Sequence, residues 1–219
     1  MMAEPKILLI GATGMVGEAV LEQALRAGLS LSYLARRAAV NGAGHSATIA
    51  DSSDWPQHIA AIQPDIILSA LGSTMKQAGS RDAFRAMDYD IQIQAARAAK
   101  TAGARQMDLV SAVGASAAAR NFYLKTKGEL ERDVAALGFD RLDILRPGLL
   151  LGDRKGPRRW GEGVMMTAAP LFDHLMIGRL ARYRSVHATD VAVAMLHVAR
   201  QSDGGQFRYD SDQIGHLSD

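Results

Sequence analysis

The stretch KILLIGATGMVGEAVLEQALRAG (6–28) constrains the fold more than any other part of the chain. A short apolar run (7–10) meets glycines at 11, 14 and 17, and a helical pattern follows that ends at Gly28. Such a turn needs one glycine for its backbone conformation and a second so that N–H groups can approach a pyrophosphate; the third lets the helix lie close on the sheet. The helix N-terminus then offers partial positive charge to phosphates. The competing reading is a glycine-rich strand-to-helix turn that binds nothing. The strand before and the helix after favour a dinucleotide, with Gly11, Thr13, Gly14, Met15, Val16 and Gly17 around it.

The rest of the chain repeats the same alternation. Strands are expected at 6–10, 29–35, 45–50, 65–71, 106–112 and 140–148, the last broken by Pro147. Helices are expected at 15–28, 54–63 and 81–103, from Tyr123 toward 138, and at 187–201. Continuous apolar strands separated by helices argue for a parallel sheet covered on both faces. The expected architecture is therefore α/β: a doubly wound parallel sheet, the Rossmann fold, over 1–219, with 150–219 contributing a small C-terminal lobe on the substrate side.

With 219 residues, 48% of them hydrophobic, the chain can bury one sizeable core. Its formal net charge of +2 gives no basic field for nucleic acid. The absence of cysteine excludes disulfides, thiolate metal sites and a Cys nucleophile, and the six histidines show no metal-ligand spacing. No apolar run is long enough for a signal peptide or a membrane span, which makes a cytoplasmic protein the expectation.

The adenosine ribose of a dinucleotide meets the end of the second strand, where a carboxylate selects NAD and an arginine accepts the 2′-phosphate of NADP. Here YLARR places Arg36 and Arg37 19 and 20 residues past Gly17. Guanidinium can pair with that phosphate bidentately, so NADPH is expected over NADH; solvated arginines are the alternative. Asp51 after the third strand could contact the adenine edge, and Ala70, Leu71 and Gly72 close the fourth strand where a ribose would approach the backbone. Both signals are ordinary for turns.

NFYLKTKGEL (121–130) holds Tyr123 and Lys127 one helical turn apart on one face. When a hydride reaches a carbonyl, the resulting alkoxide needs a proton, which a tyrosine phenol can give if its pKa is lowered toward neutrality. A lysine ammonium beside it favours the phenolate and can also hold the nicotinamide ribose. Ser111, ending the fifth strand, would orient the carbonyl. A packed tyrosine and a solvated lysine are the bland alternative.

These residues resemble the atypical branch of the short-chain dehydrogenase/reductase superfamily, and within it the Tat-interactive-protein-like oxidoreductases. The resemblance covers most of the chain, through ILLIGATGMVGEAVL, YLARR, ALGSTMKQAGSRDAFRAMDYDIQIQAA, DLVSAVGASAAARNFYLKTKGELE and FDRLDILRPGLLLGDR. It implies an NADP-binding Rossmann domain, active-site roles for Ser111, Tyr123 and Lys127, and Pro147 to Leu150 near the nicotinamide. Two departures stand out: Asp88 occupies a position where many extended members carry Asn, and Ala112 one where many carry a second Ser.

The expected function is an NADPH-dependent reductase of a small carbonyl compound, with no metal and no nucleic-acid or membrane partner. A non-catalytic NADP(H) sensor is the alternative, and a nucleotide-sugar epimerase a third, disfavoured by the short stretch after Pro147. A basic loop at 153–159 reads as a solvated loop, with attraction of an anionic substrate as its functional alternative. A homodimer through the long helices is a further expectation.

Overall fold

Residues 4–152 and 178–218 are described by a computed structural model. In chain order they form β1 (Ile7–Ile10), α1 (Met15–Arg26), β2 (Ser32–Ala35), β3 (Ser46–Ile49), α2 (Trp55–Ile62), β4 (Ile66–Ser69), α3 (Met75–Ala78) and α4 (Arg81–Arg85). A π-helical turn (Ala86–Asp90), α5 (Ile91–Thr101), β5 (Gln106–Val110), α6 (Phe122–Ala135), β6 (Arg141–Arg146) and β7 (Leu150–Leu151) follow. A 3-10 helical turn (Gly178–Tyr183), β8 (Val186–His187), α7 (Ala188–Val198), β9 (Gly205–Asp210) and α8 (Ser211–Ser218) complete the described chain.

β1 is buried at all four positions because each of its faces meets a separate core. Side chains alternate across a strand. Ile7 and Leu9 join Val20 and Leu21 of α1 and Val191 and Met195 of α7. Leu8 and Ile10 join Ile59 of α2, Ile93 of α5 and Leu130 of α6. The strands run parallel in the order β3-β2-β1-β4-β5-β6-β9. The order reverses between β1 and β4, and a doubly wound sheet opens its ligand crevice at the carboxyl ends of the strands flanking that reversal.

The expected fold class is the observed one, with differences in detail. The helix expected at 81–103 is split by the π-helical turn, whose centre, Asp88, is fully buried. The stretch 73–80 contains α3, started by Thr74 and Gln77, each capping the other's backbone N–H. In the stretch expected as a C-terminal lobe, β9 forms the seventh strand of the main sheet and α7 packs on α1. β9 escaped the sequence reading because GQFRYD is an edge strand of exposed and half-buried positions with no apolar run.

Candidate active site

The glycine turn is built backbone against backbone. Gly11 has φ +86°, a conformation open to glycine, and a Cβ there would lie 2.5 Å from the Ala70 carbonyl carbon and the Leu71 nitrogen. A Cβ on Gly17 would lie 2.1 Å from the Gly11 oxygen. The turn after β1 is thus pressed onto the end of β4, which brings Gly11, Ala70 and Leu71 together at the sheet reversal. Gly14 is the N-cap of α1 and supplies no side-chain cap, so the N-cap side chain does not compete for the first-turn amides. Thr13 and Met15 are half-buried and Val16 is buried against the core.

Arg36 and Arg37 follow β2 and are exposed. The chain beyond them is folded back onto α1: the Glu18 carboxylate accepts hydrogen bonds from the Val40 and Asn41 amides, each at 2.7 Å. That clamp keeps the arginine segment beside the first turn of α1. Asp51 is exposed just past β3. Pro147 is buried, and its carbonyl accepts a 3.0 Å hydrogen bond from the Val113 amide, joining the loops after β5 and β6.

Asn121 caps α6, its side chain accepting from the Leu124 amide at 3.1 Å, and sets Tyr123 and Lys127 on successive turns. The Tyr123 ring packs against Phe84, 5.4 Å between centroids. Lys127 is almost fully buried, and its Nζ lies 2.9 Å from Asp88 Oδ1. The other Asp88 oxygen accepts from the Ser73 amide at 2.9 Å and the Ser73 hydroxyl at 2.7 Å. A Cβ on Gly72 would meet Lys127 Nζ and Asp88 Oδ1 in ordinary contact, which places the end of β4 directly beside the pair. Burial pushes the Tyr123 phenol up; Lys127 pulls it down and Asp88 pushes it up. The lowered phenol expected from Lys127 alone is therefore not what this arrangement produces.

Ser111 is buried and faces a different partner. Its hydroxyl donates to Glu131 at 2.5 Å, and the Glu131 carboxylate also receives Arg146 through two guanidinium nitrogens. Glu131 and Asp88 are the polar residues that sequence reasoning did not place in a role. Glu131 carries a legible signal, standing four residues after Lys127 and eight after Tyr123 on one helix face. The basic loop at 153–159 lies outside the described residues.

A family model described as NAD(P)H-binding matches residues 11–201, spanning the glycine turn, α6 and α7. This chain belongs to the NAD(P)H-binding family. Family membership fits the site: the turn admits no side chain at Gly11 or Gly17, so backbone amides at the start of α1 are the groups it offers to a phosphate.

The mitochondrial protein FMP52 of Candida albicans is 36% identical over 208 residues, covering 91% of this chain and 90% of that protein. Its counterpart in Eremothecium gossypii is 43% identical over 206 residues, 92% and 91% of the two chains. By fold, MoeE5 in complex with UDP-glucose and NAD superposes with a TM-score of 0.71 at 13% identity, over 97% of this chain and 80% of that one. UDP-N-acetylglucosamine 4-epimerase from Bacillus cereus gives 0.67 at 15% identity, over 97% and 83%. The fold that the resemblance implied is thus the one these structures share, and the family matched is the NAD(P)H-binding one.

The cytoplasmic expectation is corrected, since the relatives are mitochondrial by name. It rested on the lack of a long apolar run, which tests for a secretory signal or a membrane span. Organelle addresses are amphipathic and basic, so that criterion does not test for them.

Proposed function

We propose that the chain is an NADPH-dependent oxidoreductase that reduces a small carbonyl compound. The observation that supports this most is the place of Lys127: one turn from Tyr123, buried, and beside Gly72 at the edge of the sheet reversal. The bound dinucleotide supplies the hydride. Tyr123 holds at Oη the proton that the developing alkoxide takes; the phenol raised by burial keeps that proton at neutral pH and is a weaker acid than the lowered phenol expected from Lys127. Lys127, beside Gly72 at the end of β4, is placed to hold the ribose side of a bound dinucleotide. Ser111 can accept with a lone pair while its proton goes to Glu131; it holds a carbonyl oxygen only when the hydroxyl turns away from Glu131. Arg36 and Arg37 support a preference for the 2′-phosphate.

Calorimetric titration with NADPH and NADH tests the cofactor. Arg36→Ala should weaken NADPH binding about tenfold and leave NADH nearly unchanged. Tyr123→Phe should cut reduction at least about 100-fold with cofactor affinity preserved. Absence of binding by both dinucleotides would sink the proposal.

A second reading, a sensor of the NADP(H) state, is favoured by two contacts: Ser111 spends its proton on Glu131, and Lys127 spends its charge on Asp88. Different affinities for NADPH and NADP+ without turnover of any carbonyl in a broad panel would select it.

A further inference from the structure

Asp88 is fully buried at the centre of the π-helical turn, and its carboxylate lies between two segments far apart in sequence: α6, through Lys127, and the turn after β4, through Ser73. A buried ammonium alone would pull a neighbouring phenol down by about 1–3 pH units. With Asp88 2.9 Å from Nζ, the two charges act on Tyr123 in opposite directions, and burial decides the sign. Other charges on the packed elements are occupied elsewhere. Arg81 lies over the Phe122 ring, and Arg85 and Lys125 both reach Glu129. Tyr89 and Arg132 donate to Asp133, and Lys76 and Arg120 are exposed.

We propose that Asp88 is a positioning residue that sets the charge of this site: held by Ser73 and paired with Lys127, it offsets the ammonium that stands one helical turn from Tyr123. The inference rests on reading Tyr123 and Lys127 as a working pair. Asp88 is held by Ser73 through both amide and hydroxyl, so the same contact ties the protonation of Tyr123 to the conformation of the turn at 72–74. A shift of that turn loosens Asp88, leaves Lys127 less compensated and favours the phenolate.

Tyrosinate absorbance at 295 nm reads this on the cofactor-free full chain, independently of any turnover. Each protein is titrated with and without Tyr123→Phe, so that the difference isolates one of the five tyrosines. Asp88→Asn keeps the shape of the side chain and should lower the Tyr123 midpoint by about one pH unit or more. Ser73→Ala should lower it less, and Lys127→Met should raise it. An unchanged or raised midpoint in Asp88→Asn overturns the inference. Should that variant not fold, an unchanged midpoint in Lys127→Met overturns it instead. Titration of the wild-type chain with NADPH judges the proposed function separately, because failure to bind leaves the phenol midpoint readable.

Discussion

Glu131 shows how much a single side chain can organise. It lies on α6, receives Ser111 from the end of β5 and Arg146 from the end of β6, and so pins a helix to two strands at the crevice edge. Arg146 remains partly exposed while Glu131 is nearly fully buried, so the carboxylate depends on its partners more than the guanidinium does. Loss of the Ser111 hydroxyl removes one of three donors, and Ser111→Ala should cost about 1 kcal/mol. Glu131→Gln leaves the guanidinium without its counter-ion and should cost roughly 3 kcal/mol. Urea unfolding of the two variants checks the order. Equal losses would mean that the serine, and not the ion pair, carries the contact.

At the scale of elements, the site depends on how closely backbones approach. Gly128 follows Lys127 on α6, and a Cβ there would lie 2.1 Å from the Ser116 carbonyl carbon and 2.3 Å from the Ala117 nitrogen. Alanine is the better helix former by about 1 kcal/mol, which would favour Gly128→Ala on an exposed face. Here the obstacle is backbone, which cannot rotate aside, and overpacking of about 1–3 kcal/mol outweighs the propensity. Gly128→Ala should therefore unfold at lower urea and bind dinucleotide more weakly, since α6 carries Tyr123 and Lys127. A variant as stable as the parent would show that the loop at 115–117 yields. Glycine at 11 and 17 was legible in the sequence because it belongs to a spaced motif; Gly128 was not, because its need arises from a loop outside the helix that packs against it. The same division holds elsewhere. Runs such as ILLI and IILS announced buried parallel strands, and the Tyr–Lys spacing announced a helix face. The π-helical turn and the partner of Lys127 depend on which elements meet in space, and helical periodicity carries no record of that.

Across the whole molecule, the far half of the sheet is joined by a polar network under α7. Arg141 on β6 donates to both oxygens of Asp143, at 2.6 and 2.8 Å, and to the Asp203 carbonyl at 2.8 Å. Tyr209 on β9 donates to Asp143 at 3.0 Å, and its phenol is pushed up to about 12 by burial and then by Asp143. Gln106 on β5 bridges Asp108 at 3.0 Å and the Val198 carbonyl of α7 at 2.9 Å. The network thus holds β5, β6, β9 and α7 in one register, but it contains two carboxyl groups for one guanidinium. Asp143 has that guanidinium; Asp108 is pushed well above its ordinary value of 3.8, by burial first and by Asp143 second. The folded chain therefore keeps a proton on Asp108 at pH values where the unfolded chain has released it, and stability falls as pH rises above about 4, toward the value at which the folded group itself ionises. Each unit of upward displacement is worth about 1.4 kcal/mol. Asp108→Asn keeps an acceptor for Gln106 and an N–H for Asp143 while removing the ionisation. In urea unfolding at pH 5 and pH 8, the variant should lose less stability between the two than the parent and should exceed it at pH 8. Parallel losses in the two proteins would place the extra proton elsewhere in the network.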